Sequence, residues 1–203
     1  MPIRRRLLAG LVGLGLAPWA QVRAAGGIGR VARVAGGLAA VRGSGIVALA
    51  EGDPVLVDDI LRTGPEARAL ILCDDGLRIA LGPDTEMAVR SLVADPGGTS
   101  MAFGLLRGIT RLIGGAVAGG RSIEIDTRTA VASVRSTEWV VESNAKGTGV
   151  LALSGEVTVT ALAGGSVILR PGEGTDVAPG GTPKAPALWG EARRRDAIAR
   201  TTL

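Results

Sequence analysis

ARALILCDDGLRIAL, residues 67–81, is the stretch that decides the fold. Ala67, Ala69, Ile71 and Cys73 alternate with other residues, and Leu77, Ile79 and Leu81 resume the alternation. A period of two puts every second side chain on one face of a strand. Between the two runs stands Asp74-Asp75-Gly76, and Asp-Gly in that position marks a hairpin turn carried by Asp75 and Gly76. Gly82-Pro83-Asp84 makes the next turn, and Gly82 and Asp84 join Asp75 and Gly76 as the turn motif. A strand from Glu86 to Leu92 follows.

The same grammar recurs along the chain. Ile123 and Ile125 alternate with Glu124 and Asp126. Trp139-Val140-Val141 reads as a strand, Asn144 to Gly149 as a hairpin loop, and Val150–Leu153 and Val157–Leu162 as strands separated by Ser154-Gly155. Val167–Leu169 and Thr175–Val177 complete the set. Short strands with turns this frequent mean an all-β domain, and no strand-helix rhythm points to a parallel α/β sheet. The core must be built from Val, Leu, Ile and Ala. Such small side chains suit a β-solenoid-like stack of short strands, and a β-sandwich is the competing architecture. Residues 179–187 are rich in Pro and Gly and read as a linker. Leu188–Arg200 has helix-forming composition, so residues 188–203 are expected to form a short tail helix, either solvated or docked on a partner or an anionic surface.

The first 24 residues read as an export address. Arg4, Arg5 and Arg6 precede a short apolar run from Leu7 to Trp19, and Val22-Arg23-Ala24 supplies a cleavage site. The run is shorter than the about 20 residues a membrane-spanning helix needs. Arg-Arg-x-Leu-Leu also fits a twin-arginine signal beside the ordinary secretion route. Residues 25–178 are then the β domain, in the periplasm, with no membrane span after cleavage. Cleavage would remove Arg4, Arg5, Arg6 and Arg23 and no acid, leaving 19 charges of each sign. A balanced body of this kind lacks the basic patch that nucleic acid requires.

Absences narrow the chemistry. The chain has no histidine, which removes imidazole bases, Ser-His triads and most zinc sites. It has no tyrosine, and beyond the export segment only Phe103, Trp139 and Trp189 are aromatic. Sugar-binding and base-stacking surfaces depend on such rings. The single cysteine, Cys73, can form no internal disulfide and reads as a small buried hydrophobe, with a reactive thiol or an intermolecular bridge as the alternative. No cofactor or metal is expected. Asp74, Asp75 and Asp84 could meet around calcium, but no recognised loop motif supports it.

TRTAVASVRSTEWVVES, residues 127–143, concentrates the polar chemistry. Thr129, Arg135, Thr137, Glu138 and Trp139 are either a structural turn between two strands or a binding motif. In the structural reading the hydroxyls cap turn amides, Arg135 holds carbonyls or a carboxylate such as Glu138 or Asp126, and Trp139 anchors the core. In the binding reading Arg135 takes an anion beside Thr137. No catalytic residue is assigned. A serine nucleophile would have only Lys146 or Lys184 as base, and the pairs Asp58-Asp59 and Asp74-Asp75 would point to opposite faces if they lay in strands.

Several blocks resemble one family. Gly52-Asp53, Asp59-Ile60-Leu61-Arg62-Thr63-Gly64-Pro65, Asp75-Gly76-Leu77 and Leu81-Gly82-Pro83-Asp84-Thr85-Glu86 are similar to the first half of the FecR periplasmic domain. Leu105-Leu106-Arg107-Gly108 resembles its next strand and turn. Thr127 to Trp139 resembles its most recognisable block, usually Thr-Pro-Thr-Ala, a few small residues, then Arg-Gly-Thr-Glu/Asp-Phe. Leu153-Ser154-Gly155-Glu156-Val157 and Pro171-Gly172-Glu173-Gly174 are similar to its closing strands. Arg128, Ser136 and Trp139 depart from the usual Pro, Gly and Phe. The best-known members also carry a cytoplasmic anti-sigma segment, a membrane helix and a receptor-contacting domain, none of which is read in this sequence. The resemblance therefore implies fold and compartment ahead of sigma-factor regulation. It implies an exported, non-catalytic binding or sensing module in envelope signalling. Its partner would be another envelope protein, recognised by surface contact that includes strand addition at an exposed edge. Two alternatives stand beside it: a sigma-factor regulator tethered by an uncut N-terminal anchor, and a carboxylate-based periplasmic hydrolase.

Overall fold

A computed structural model describes residues 26–95, 98–114, 122–134 and 138–203. The export segment and Arg135, Ser136 and Thr137 lie outside the described residues.

Seventeen strands and one helix occupy the described residues. β1 (Gly27–Ala35), β2 (Leu38–Arg42), β3 (Gly45–Ala48) and β4 (Pro54–Leu56) come first. β5 (Ile60–Thr63), β6 (Arg68–Cys73), β7 (Arg78–Leu81) and β8 (Glu86–Asp95) lead to β9 (Gly98–Ile113), the longest at 16 residues. β10 (Ile123–Asp126), β11 (Ala130–Val134), β12 (Glu138–Asn144) and β13 (Gly147–Ser154) follow. β14 (Val157–Ala161), β15 (Ser166–Leu169), β16 (Glu173–Val177), β17 (Ala187–Leu188) and α1 (Glu191–Arg200) end the chain.

These strands form two sheets that share β9. Sheet A runs β4-β1-β6-β7-β9-β12-β13-β16-β17. Sheet B runs β3-β2-β5-β8-β9-β10-β11-β14-β15. Only β9–β10 is parallel among these pairs. The first part of β9, to Arg107, pairs with β8, and the part from Gly108 pairs with β12. Gly108 sits at the crossing with φ 96, a backbone angle that glycine adopts at little cost.

Inward side chains of the two sheets make one core. Ile71, Ile79, Leu112, Trp139 and Val150 come from sheet A, and Leu61, Met87, Phe103, Ile125 and Val159 from sheet B. Two layers facing one core are a sandwich. The chain path within it is solenoid-like: hairpins β10–β11, β12–β13, β14–β15 and β16–β17 are laid down alternately in sheet B and sheet A. Both architectures weighed from sequence are thus present, one in the layering and one in the route.

The 67–81 hairpin is β6–β7, closed by Cys73 N–H to Leu77 O at 2.8 Å. The Asn144–Gly149 loop shrinks to a two-residue turn. Pairing of β12 with β13 continues to Asn144↔Gly147, because the Asn144 side chain accepts from Lys146 N–H at 2.8 Å and closes the bend itself.

The tail is not a solvated end. Trp189 and Ala197 pack with Ile109, Val140 and Leu151 on the outer face of sheet A. This second contact explains why Trp139, Val140 and Val141 are all buried: alternate residues face the core and the tail. The Trp189 indole lies on bare backbone at Gly174, where an added Cβ would stand 2.1 Å from Nε1. Arg193 stacks on the indole at 3.5 Å from the ring centroid and grips Asp176 with two hydrogen bonds of 3.0 and 2.7 Å. Arg193 and Arg200 both reach Glu142 of β12, and Arg68 donates to the Arg200 carbonyl at 3.2 Å.

Candidate functional site

The 127–143 stretch passes from β11 in sheet B to β12 in sheet A, so it ties the two layers at one end. Thr127, Thr129 and Thr148 form a chain of hydroxyls. Thr127 Oγ1 and Thr129 Oγ1 each lie 2.7 Å from Thr148 Oγ1, and Thr129 also donates to Val177 O at 3.1 Å. Thr127 Oγ1 donates to Ala130 O at 2.8 Å and accepts from Ala130 N–H at 3.0 Å. Threonine at both positions of Thr-x-Thr is therefore used to bolt β11 to β13 and β16. Arg128 between them points outward and donates to Asn144 O at 2.8 Å.

Glu138 is paired across the sheet with Arg111, whose Nε donates at 2.7 Å and whose Nη2 makes a second bond to the same oxygen. Trp139 is fully buried and is the largest side chain of the core. Its Nε1 has no hydrogen-bond partner among the described residues. An apolar site of this kind accepts the volume of an indole and leaves its donor unanswered, which fits the phenylalanine usual at this position in the resembled family. Arg135 and Thr137 fall outside the described residues.

Acidic candidates from the sequence do not converge. Asp59 is 1% exposed and is held by Arg42 through Nε at 2.7 Å and Nη2 at 2.9 Å, and by Leu56 N–H at 2.9 Å. That acid is a fastener, with none of its capacity turned to solvent. Asp75 accepts from Leu77 N–H at 3.0 Å, and Gly76 takes φ 88 in the same turn. Gly82 packs its bare Cα against Ile109 and the Arg200 carbonyl, and Asp84 takes φ 50 as the chain bends toward β8. No group of three or more His, Cys, Asp or Glu side chains among the described residues could hold a metal. Cys73 is buried, and burial first, then Asp75 and Asp74, push its thiol pKa well up, so the nucleophilic thiolate is suppressed.

A groove of about 790 Å³ opens beside the β9 crossing. Asp84, Arg107, Gly108, Arg128, Glu142 and Arg200 are among its lining residues. They come from five separate segments, and no sequence spacing links them. Arg107 was visible only as part of the Leu-Leu-Arg-Gly block, and Arg128 only as a departure from proline. Arg107 shares Glu86 with Arg62, at 3.3 and 2.9 Å. Among the described residues, Arg128 is the lining cation whose hydrogen bond goes to a backbone carbonyl alone.

Residues 59–158 match the model of the FecR protein family, a span from the buried Asp59 to Thr158 in β14. Two crystal structures, each of a candidate anti-sigma factor from Parabacteroides distasonis ATCC 8503, share the fold with TM-scores of 0.56 at 14% identity. Each match covers 68% of this chain and only 64% or 63% of the other, so the chain spans less than two thirds of those proteins. No curated protein matches the chain. With its blocks in order along one double-sheet fold, this chain carries a stretch, residues 59–158, that matches the FecR protein family.

Proposed function

We propose that this protein is an exported, non-catalytic binding and sensing module of envelope signalling, which recognises another envelope protein by surface contact. One observation carries the reading: among the described residues, the chemistry-bearing side chains singled out in the sequence are spent on the fold itself. The Thr127-Thr129-Thr148 ladder, the Arg111–Glu138 pair and the Arg42–Asp59 clamp hold strands together and face no common cavity. The FecR-family match over residues 59–158 and a fold likeness to a candidate anti-sigma factor agree with a regulatory role. The groove beside Gly108 is the recognition surface in this reading. Its mixed walls, with Arg107 and Arg128 set beside Asp84 and Leu106, suit a polar peptide segment of a partner.

Affinity capture from an envelope extract, with the wild-type chain and an Arg107→Gln/Arg128→Gln double variant, tests this. The wild type is expected to retain a single envelope protein that the double variant releases. Neither guanidinium supports the core, so both chains should melt together. A wild-type chain that retains nothing, or a variant that retains the same protein equally, rejects the reading.

A further inference from the structure

Sheet B ends in two strands of the same unusual character. At one edge β3 pairs only with β2, and at the other β15 pairs only with β14, among the described residues. Both are four residues long. Every residue of β3 is exposed, with Ile46 at 71% and Val47 at 42%, and β15 shows Ile168 at 56% beside Leu162 at 64% in its turn. Four of the six large exposed hydrophobic residues thus lie on these two edges. Residues 43–50 and 161–169 contain no charged side chain and no proline.

Sheet A is finished differently. Its edge strand β4 has three residues and begins at Pro54, and β17 has two and follows Pro186. Short edges, proline and charge are the usual guards against strand addition. The guards are present on one sheet and missing from the other. The linker approaches β15 at Gly165, through Thr182 and Pro183, but its backbone bond goes to β16, from Lys184 N–H to Asp176 O at 3.1 Å.

We infer that a second copy of this chain is the partner of these edges, with β15 of one molecule pairing with β3 of the next. The topology favours this joint. Sheet B has a single parallel pair, β9–β10, in an otherwise antiparallel order, so β3 and β15 run in opposite directions. A neighbour in the same orientation therefore meets β15 with an antiparallel β3, the pairing the rest of the sheet already uses. The strands match in length, and their apolar, uncharged faces continue one another. The contact is heterologous, so it propagates head to tail.

Sedimentation of the exported chain over a range of concentrations, with Ile46→Lys and Ile168→Lys variants, tests this. Both positions are exposed, so the substitutions leave the core intact. The wild type should form a concentration-dependent series beyond the dimer. Each variant alone should be monomeric. An equimolar mixture should stop at dimers, because only the β15 of Ile46→Lys and the β3 of Ile168→Lys remain open. A wild type that stays monomeric throughout overturns the inference. So does Ile168→Lys alone forming dimers, which would mean that two β3 strands pair with each other. These outcomes are independent of the groove, whose arginines touch neither edge strand.

Discussion

Thr148 shows how a polar residue can be buried without being a site. It is 2% exposed, and its hydroxyl stands between those of Thr127 and Thr129. Replacing it with valine keeps the shape and strands two hydroxyls. Thr148→Val is expected to cost about 1–2 kcal/mol, read as a lower urea midpoint with an unchanged slope; no shift would mean that the ladder is ornamental. The residue scale is also where the sequence was least legible. Thr129 could be flagged, because hydroxyls beside a turn find backbone partners. Thr148 could not, because it falls in what reads as a hairpin loop, and its partners are 19 and 21 positions away. The Asp59 clamp was hidden likewise: Arg42 is 17 residues distant and nothing local announces it.

Elements with strict alternation were legible, since a period of two exposes one face whatever the rest of the chain does. The 67–81 hairpin is the clearest instance. Where a strand meets apolar partners on both faces the period disappears, as at Trp139-Val140-Val141, and only the apolar run remains to be read. β9 defeats sequence reading for another reason. A strand that serves two sheets looks locally like any strand, and its bend depends on Gly108. There an added Cβ would fall 2.4 Å from the Thr85 Cα, and φ is +96°. Gly108→Ala is expected to destabilise the fold by about 1–3 kcal/mol from backbone strain alone, with the Thr85 contact adding to it. Chemical denaturation measures this; wild-type stability would show that the crossing tolerates a side chain and is not constrained as described.

At the scale of the molecule, the sandwich is closed on one outer face by its own tail. The clamp is ionic and half exposed, so each pair contributes up to about 1 kcal/mol. Hydrogen bonding from Arg193, ahead of all other effects, lowers the Asp176 pKa from 3.8. A carboxylate whose folded pKa is depressed stabilises above its unfolded value and loses that contribution as pH falls through the folded one. The tail should therefore hold firmly at neutral pH and loosen below about pH 3.8. Protection factors for amides of residues 194–200 should drop in that window ahead of those in β12. Asp176→Asn should lower them at neutral pH and flatten the acid response; a variant with the wild-type profile would remove Asp176 from the clamp. Composition foretold a helix here but not its seat, because the glycines that receive Trp189 and Arg193, Gly174 and Gly149, carry no signal until the sheet aligns them.

The two indoles of the described chain occupy unlike surroundings, one sealed between the sheets and one pressed under a cation at the rim. Emission from Trp189, quenched or shifted by the guanidinium above it, follows departure of the helix. Emission from Trp139 changes only when the layers separate. A single fluorescence titration can thus resolve undocking from global unfolding, with no label attached.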